Sequence, residues 1–289
     1  MDVQHYRKVN VDPHSHLMTC GELQRLGANR IVDTTREKLG PGGILSITNT
    51  RDNRYERFVD NLKLGENYFW VNYENLLYFP EKDIWIVKAQ EVNTLAGEIL
   101  VVGMDYGEHI KEDRTFKYAL HMAKYDGIER TITIIPHPFW RDGAIKEFDE
   151  LMKEFPNEKL EELVDGFEVF DANGIFSVPY LIERNANFKA DLYYDRKIRP
   201  RGLKIGAVKG SDNHSLRGVG KGYITVTMPV HPEGDEVIPI LRNEIKEGGK
   251  LEGKMTDNWA GAFRHALAAF GWYGPGRAKR WIKEKIKAA

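Results

Sequence analysis

Short apolar runs alternate along this chain with stretches in which apolar residues recur at helical spacing. Helical spacing links Phe116, Ala119, Leu120 and Ala123, and a second set comprises Ile145, Phe148, Leu151, Met152 and Phe155. The apolar runs predict strands at Val9–Val11, Ile44–Thr48, Ile84–Val87, Ile99–Gly103, Thr131–Ile135, Phe167–Phe170, Ile205–Val208 and Tyr223–Thr227. Strands that alternate with helices favour a largely parallel sheet, and about eight of them favour a closed α/β barrel.

The last part of the chain follows a different pattern. Val237–Ile245 and Trp259–Phe270 have helical spacing, and Arg277–Lys287 is a basic segment that carries three apolar residues. We therefore divide the chain into a barrel over residues 1–225 and a C-terminal helical cap over residues 226–289, packed on the barrel. A membrane-surface or nucleic-acid role for the last segment is the alternative, and its narrow apolar face disfavours membrane binding.

Composition narrows the class of protein. The 289 residues include 42 Lys and Arg against 43 Asp and Glu, so no bulk positive field is available to hold nucleic acid. Cys20 is the one cysteine, which excludes an internal disulfide and favours a reducing compartment. Met1–Asn10 is too polar for a secretory signal, and no run approaches the ~18 apolar residues that span a bilayer. We expect a cytoplasmic protein without a membrane partner.

Two pairs of potential metal ligands follow predicted strands. His14 and His16 come after Val9–Val11, and Asp212 and His214 come after Ile205–Val208. Side chains two residues apart on an extended segment point to the same face, where both can bind one cation. One such pair is weak evidence by itself, but two pairs after apolar runs are hard to assign to chance.

Other donors also lie beside predicted strands. Glu91 follows Ile84–Val87, Glu98 begins the next strand, and His137 stands between Pro136 and Pro138 after Thr131–Ile135. In α/β barrels, functional residues gather at the C-terminal ends of strands. His, Asp and Glu without thiolate suit Zn, Mn or Fe, so the set indicates a metal centre. Four other histidines are expected to be structural or solvated, and one stays open: His5, His121, His231 and His265 in the first group, and His109 in the second.

Six motifs in a fixed order carry a family resemblance. They are Val11-Asp12-Pro13-His14-Ser15-His16, Leu45–Thr50, Glu91 with Gly97–Gly103, Ile135–Pro138, Phe167–Asn173, and Gly210–His214 followed by Val219-Gly220. Together, over roughly residues 9–225, they are similar to the PHP (polymerase and histidinol phosphatase) superfamily. The resemblance implies a distorted (β/α)7 TIM-like barrel with a cleft for up to three metals and metal-dependent phosphoester hydrolysis.

The resemblance also implies a distribution of ligands. Its first metal would be held by four residues, its second would be shared by Glu91 and His137, and its third would include His214. The four residues at the first metal are His14, His16, Glu91 and Asp212.

Two departures change this distribution. Asn49-Thr50 stand where the family usually has Asp-His, and Thr50 cannot replace an imidazole, so the third metal lacks a complete ligand set. Gly97-Glu98 stand where the family usually has Gly-His, and the Glu98 carboxylate can take the place of the imidazole at the second metal. We expect two divalent ions, and the extra carboxylate favours a harder ion such as Mn²⁺.

The predicted activity is hydrolysis of a small-molecule phosphate ester, either a phosphomonoester or a nucleotide or small phosphodiester. Two adjacent cations can activate water and hold the charged oxygens of the displacement, with Asp212 and Glu91 as ligands and a carboxylate as base. Arg51, Arg141, Lys209 and Arg217 are candidate phosphate-binding cations, with Arg141 and Arg217 preferred because each follows a ligand motif. Phe139, Trp140 and Phe176 are candidates for an apolar wall, although core packing is the simpler interpretation.

Two alternatives stay open. The departures are also compatible with a catalytically reduced PHP-like protein that binds one metal or none. A metal-dependent amidohydrolase would use a metal-bridging lysine, for which Lys88, interpreted as the end of its strand beside Glu91, is the nearest candidate. Nucleic acid is expected only as a short oligonucleotide substrate, and neither the substrate nor the oligomeric state follows from the sequence.

Overall fold

The structure, a computed structural model, describes residues 5–17, 27–62, 68–71, 74–125, 130–140, 143–172 and 184–255. The strands are β1 (Tyr6–Asp12), β2 (Gly43–Asn49), β3 (Phe69–Val71), β4 (Leu76–Phe79), β5 (Ile84–Thr94), β6 (Gly97–Val102), β7 (Ile132–Ile135), β8 (Gly166–Asp171), β9 (Gly206–Gly210), β10 (Gly222–Pro229) and β11 (Gly253–Met255). The α-helices are α1 (Ala28–Leu39), α2 (Arg54–Asp60), α3 (Phe116–Ala123), α4 (Ile145–Glu154), α5 (Asn157–Leu163), α6 (Arg184–Tyr193) and α7 (Val237–Gly248). A π-helical segment, Tyr194–Ile198, continues α6, and short 3-10 helices occupy Arg199–Arg201, Leu216–Gly218 and Gly234–Glu236.

The sheet forms a nearly closed, distorted barrel. Its strand order is β11-β10-β1-β2-β5-β6-β7-β8-β9, with β4 and β3 added beside β5. Neighbours are parallel at β1–β2, β2–β5, β7–β8 and β8–β9, and antiparallel at β1–β10, β5–β6 and β6–β7. The predicted α/β barrel class is therefore confirmed. The described path contains nine strands where the family resemblance implies seven.

Each predicted strand is present, and the largest change of bounds affects β5. The strand continues to Thr94 because it pairs with β6 over its whole second half, from Ala89 opposite Val102 to Thr94 opposite Gly97. Glu91 consequently lies inside the strand, opposite Leu100, and not after its end. The predicted helices at Phe116–Ala123 and within Ile145–Phe155 are also present.

The two faces of β5 show how the barrel wall is built. Trp85, Val87 and Ala89 belong to one buried cluster with β1, β7 and β10, whereas Ile84 and Ile86 pack with α1 and α2 on the other face. Because side chains alternate along a strand, Glu91 continues the inward face two residues beyond Ala89. A carboxylate is thereby directed into the barrel from the second half of β5.

Helix α7 covers the opposite end of the barrel. Val237, Ile238, Leu241 and Ile245 join the inner cluster. A Cβ atom placed on Gly206, at the start of β9, would come 1.9 Å from the Ile245 carbonyl oxygen. The helix thus packs on the N-terminal ends of the strands and leaves the C-terminal ends for a site.

A buried ionic cluster fastens α7 to the barrel. Asp165, which is fully buried just before β8, accepts hydrogen bonds from Lys124 Nζ at 2.6 Å, Arg242 Nε at 2.7 Å and the Thr133 N–H at 2.8 Å. Burial lowers the pKa of Lys124 to about 8, although Asp165 opposes the shift. Removal of Asp165 would leave the buried cations Lys124 and Arg242 without their counter-charge, so Asp165 links α7 to the barrel.

The division of the chain into a barrel and a cap stays a prediction. Residues 256–289, which contain Trp259–Phe270 and Arg277–Lys287, lie outside the described residues. Within the described ranges, no helix has both the length and the apolar character required to cross a bilayer.

Candidate metal centre

The segment after β1 carries two buried imidazoles. Nε2 of His14 lies 3.0 Å from Nε2 of His16, and both rings are buried. Ser15 forms a parallel bridge with Asn213, and the Asp212 N–H donates to the His14 carbonyl at 2.7 Å. The opening and closing motifs, about two hundred residues apart in sequence, are thus held side by side by backbone pairing.

Two carboxylates complete the cluster. Oε1 of Glu91 lies 2.8 Å from Nε2 of His137 and 3.4 Å from Nε2 of His14, while its Oε2 lies 3.0 Å from Nε2 of His16. Oδ1 of Asp212 lies 3.2 Å from Nε2 of His16 and 3.7 Å from Nε2 of His14. One carboxylate therefore contacts three imidazoles, which come from the ends of two different strands.

These side chains form two groups that could hold metal ions. One comprises His14, Glu91 and His137, the other His14, His16 and Asp212, and within each group the ligand atoms lie within 4.8 Å of one another. Imidazole nitrogens and carboxylate oxygens converge here in buried positions, which is the donor chemistry that Zn, Mn and Fe accept. The residues present therefore fit divalent cations, and His14 belongs to both groups.

Glu98 and His214 lie at the margin of the cluster. Oε2 of Glu98 is 3.5 Å from Nε2 of His137. The His214 ring stacks on the His16 ring with centroids 5.0 Å apart, and its Nε2 is 3.7 Å from Oδ1 of Asp212. The structure thus gathers all seven predicted ligands in one place, and their roles as ligands stay predictions. The seven are His14, His16, Glu91, Glu98, His137, Asp212 and His214.

Burial and mutual charge set the protonation of the cluster. Burial alone would lower the pKa of His14 and of His137, but the surrounding carboxylates raise both well above the usual value. Burial lowers the pKa of His16 to about 4. The pKa of Asp212 is raised by burial and by the nearby charge of Asp171. A cation that binds here must displace protons from imidazoles, as metals generally do at histidine sites.

The backbone is strained at two of the predicted ligands. His137 has a φ of 24° and Asp212 a φ of 40°, in the left-handed region that non-glycine residues rarely adopt. Such conformations persist where the surrounding structure enforces them, and they cluster at functional sites. Here the strain directs an imidazole and a carboxylate from two different loops into one cluster.

Glu168 on β8 is a site residue that the sequence reasoning did not select. Its Oε1 lies 3.2 Å from Nδ1 of His14, and its Oε2 accepts a hydrogen bond of 2.7 Å from the His137 N–H. The available signal was a charged residue inside the apolar run Phe167–Phe170, where burial requires a partner. A Cβ atom on Gly210 would lie 2.4 Å from Oε1 of Glu168 and 2.7 Å from Cβ of His14, so the contact depends on glycine there.

Asp12 is a second residue outside the predicted set. Its Oδ1 accepts from the Ser211 N–H and its Oδ2 from the Gly220 N–H, each at 3.1 Å. Burial raises the pKa of this carboxyl to about 7. Asp12 therefore holds both ends of the segment that carries Asp212 and His214.

In the second motif, Leu45–Thr50, the last two residues make hydrogen bonds within the protein. Asn49 Nδ2 donates to Oε2 of Glu56 at 2.7 Å, and Asn49 Oδ1 accepts from the Tyr55 N–H at 2.8 Å. Thr50 Oγ1 donates to Oδ1 of Asp52 at 3.3 Å. The two residues that depart from the family pattern thus bind the start of α2.

The predicted position of Lys88 beside Glu91 at a strand end is wrong. Lys88 lies in the middle of β5, and its odd separation from Glu91 places the two side chains on opposite faces. Its Nζ is 2.7 Å from Oε1 of Glu56 and donates to the carbonyls of Asp105 and Glu108 at 2.6 and 2.7 Å. The amidohydrolase alternative loses its candidate bridging lysine.

The candidate phosphate-binding cations have different surroundings. Arg51 is exposed and pairs with Glu112 at 2.7 Å, whereas Lys209 donates to the Leu251 carbonyl at 2.8 Å. Arg217 is exposed on the 3-10 helix Leu216–Gly218. Arg141 lies outside the described residues. These two preferred arginines keep their status as predictions.

The candidate apolar wall divides in the same way. Phe139 packs against the core and contacts Tyr193, with ring centroids 5.6 Å apart. Trp140 lies closer to the cluster, with its ring centroid 5.7 Å from that of His137. Phe176 lies outside the described residues.

Comparisons with known proteins support the fold. No family model and no curated protein sequence matches the chain. Among solved structures, PsfC from Pseudomonas syringae is similar at 14% identity over 91% of this chain and 97% of that chain, with a TM-score of 0.55. The lesion-specific endonuclease Q from Pyrococcus furiosus is similar at 15% identity, over 84% of this chain and 57% of that chain, with a TM-score of 0.50. At such identities the likeness concerns the fold alone.

Proposed function

We propose that this protein is a metal-dependent hydrolase of phosphate esters, acting on a phosphomonoester or on a nucleotide or small phosphodiester. The observation that carries the proposal is the pair of buried donor groups that share His14, in which Glu91 lies within 3.4 Å of three imidazoles. The motif resemblance to the PHP superfamily supports it, since the residues quoted for the resemblance are those that converge.

Four residues are proposed to hold the first cation and three the second, with Zn, Mn or Fe as the ions. Following the family resemblance, the first set is His14, His16, Glu91 and Asp212, and the second is Glu91 and His137 with Glu98 in addition, while His214 lies beside the first. His14 lies close enough to Glu91 and His137 to serve the second cation as well. Bound divalent cations would supply Lewis acidity toward phosphoryl oxygens and lower the pKa of water to about 7.

The chain itself supplies orientation and a base. Glu168 holds the imidazole of His14 through Nδ1, which leaves Nε2 directed at the cluster. Glu91 and Asp212 are the candidates for the base, because their carboxylate oxygens lie 3.0 and 3.2 Å from Nε2 of His16. A carboxylate of the cluster would accept a proton from the attacking water.

Two other candidate functions have specific support. A nucleic-acid substrate is suggested by the fold likeness to a lesion-specific endonuclease, although the balanced charge of the chain favours short oligonucleotides. A catalytically reduced protein is suggested by Asn49 and Thr50, which stand where the family has metal ligands and instead hydrogen-bond to Glu56 of α2 and to Asp52 just before it. A cytoplasmic location stays a prediction.

The test begins with metal content. Protein purified without chelators is analysed for metals per chain, together with the double variant His14→Ala/His16→Ala and the control His121→Ala, which changes an exposed histidine of α3. We expect about two equivalents of metal in the unmodified protein and the control, and loss in the double variant. Near-zero metal after incubation with Mn and Zn would sink the hydrolase proposal.

The substrate class is tested next, in the metal that binds. The screen compares p-nitrophenyl phosphate, bis(p-nitrophenyl) phosphate and a short oligonucleotide, and measures ammonia release from amides in parallel. Phosphate or nitrophenol release that disappears in the double variant supports the proposal. Metal binding without any turnover favours the catalytically reduced protein, and ammonia release favours the amidohydrolase.

A further inference from the structure

An arginine that the sequence reasoning did not select lies against the metal-site motif. Arg54, the first residue of α2, donates from Nη1 to the main-chain carbonyl of His16 at 2.9 Å. Its Nε donates to Oδ2 of Asp52 at 2.9 Å, and its Nη2 to Oγ1 of Thr50 at 3.3 Å. Three contacts from three directions therefore fix the guanidinium plane beside the segment that carries His14 and His16.

The guanidinium of Arg54 has more N–H donors than these three contacts use. Arginine has five N–H donors, and the three contacts use one on each nitrogen, so one N–H on Nη1 and one on Nη2 have no acceptor among the described residues. The side chain is 15% exposed, so part of the group is open to solvent. A rigid guanidinium with two N–H groups that no described residue occupies is suited to bidentate recognition of an oxyanion.

The charge of Arg54 acts on the site. Its guanidinium lies one hydrogen bond from the main chain of His16, a predicted ligand of the first cation. The hydroxyl of Thr50, a residue that departs from the family pattern, accepts the hydrogen bond from Nη2 of Arg54. At the point where the second motif lacks an imidazole, the chain thus presents a fixed positive charge.

Two of the cations suggested by the sequence are engaged with other groups. Arg51 is committed to Glu112 and Asp113, and Lys209 is directed at the Leu251 carbonyl. Asp52 accepts a hydrogen bond from Nε of Arg54 and none from Nη1 or Nη2, so it orients the guanidinium without occupying the remaining N–H groups.

We propose that Arg54 is the anion-recognition residue of this site and that its two remaining N–H groups bind non-bridging oxygens of the substrate's phosphoryl group. This inference rests on the proposed function and adds a substrate-binding role to it. Asp52 and Thr50 are positioning residues, because they orient the guanidinium and do not contact the substrate.

The test uses inorganic phosphate as the probe and calorimetric titration of the full chain, both metal-loaded and metal-free. Arg54→Gln removes the charge, Arg54→Lys keeps a charge but loses the planar fork, and Arg57→Gln is the control, because Arg57 is exposed on the same helix. We expect Arg54→Gln to weaken phosphate binding by roughly 10–100-fold and Arg54→Lys to weaken it less, since a hydrogen bond to a charged group is strong. The metal content should stay equal in all four proteins.

Equal phosphate affinity in Arg54→Gln and the unmodified protein would overturn the inference. Loss of metal together with phosphate binding in Arg54→Gln would also overturn it, because Arg54 would then serve to position His16. If the protein takes up no metal yet binds phosphate through Arg54, the hydrolase proposal fails and the anion site stands.

Discussion

Oε1 of Glu168 lies 3.2 Å from Nδ1 of His14. A residue of β8, distant in sequence, thus orients the imidazole that belongs to both groups of potential metal ligands. The other oxygen of the same carboxylate accepts from the His137 N–H. Carboxylates that hold the outer nitrogen of a metal-bound histidine fix its tautomer and orientation. Glu168 therefore links His14 to His137 and is placed to orient both.

The first prediction concerns this coupling. Glu168→Gln keeps an acceptor for the His137 N–H but removes the negative charge beside His14, so metal affinity should fall by about 10–100-fold. Competition with a calibrated chelator measures the affinity. The control Glu150→Gln changes an exposed residue of α4 and should leave the affinity unchanged. Equal affinities in the two variants would show that Glu168 is not required to orient His14.

The second prediction concerns the glycine that faces this contact. Gly210→Ala would place a methyl group 2.4 Å from Oε1 of Glu168 and 2.7 Å from Cβ of His14. We expect a loss of about 1–3 kcal/mol in the free energy of unfolding, together with weaker metal binding, because Glu168 and His14 must separate. Gly107→Ala is the comparison, since it adds a methyl group with no atom within 4 Å but strains a backbone at φ +77°.

The comparison variant should lose stability without losing metal. Denaturant titration and metal analysis on both proteins separate the two effects. Full metal content in Gly210→Ala would show that the Glu168–His14 contact tolerates displacement.

The third prediction separates Lys88 from the metal centre. Lys88→Met leaves Glu56 without its cation and two carbonyls without a donor, so unfolding should become easier by about 3–5 kcal/mol. Metal content, measured below the unfolding temperature, should stay that of the unmodified protein, because Lys88 points to the opposite face of β5 from Glu91. Loss of metal at unchanged stability would instead show that Lys88 takes part in metal binding, and it would favour the amidohydrolase.

The fourth prediction is a pH dependence of stability at Lys124. Burial lowers the pKa of Lys124 from 10.5 to about 8, so between these values the unfolded chain binds more protons than the folded protein. The free energy of unfolding should then rise with pH across this window, by at most about 1.4 kcal/mol for each pH unit from this group. Below pH 8 the contribution is constant, and above 10.5 it is constant again.

Lys124→Met isolates this contribution. Urea unfolding of both proteins at several pH values from 8 to 10.5 gives the difference, in which the titrations of other groups largely cancel. The stability of the unmodified protein relative to the variant should increase with pH. A difference that stays flat across the window would mean that Lys124 titrates normally in the folded protein.

The sequence by itself predicted eight of the eleven described strands and all seven candidate ligands, whereas β3, β4 and β11 were not predicted. Strand periodicity is local, and each predicted strand is found; the HxH spacing of His14 and His16 is local as well. These patterns depend on neighbouring residues in the chain, so a single sequence displays them.

Only the tertiary structure decided which side chains support the cluster. Glu168, Asp12 and Arg54 are far in sequence from His14, Ser211 and His16, whose atoms they contact, and no spacing rule connects them. The direction of Lys88 was misjudged because β5 extends to Thr94, and that extension follows from pairing with β6. Pairing and barrel closure depend on contacts between distant segments, and these contacts form only when the whole chain packs.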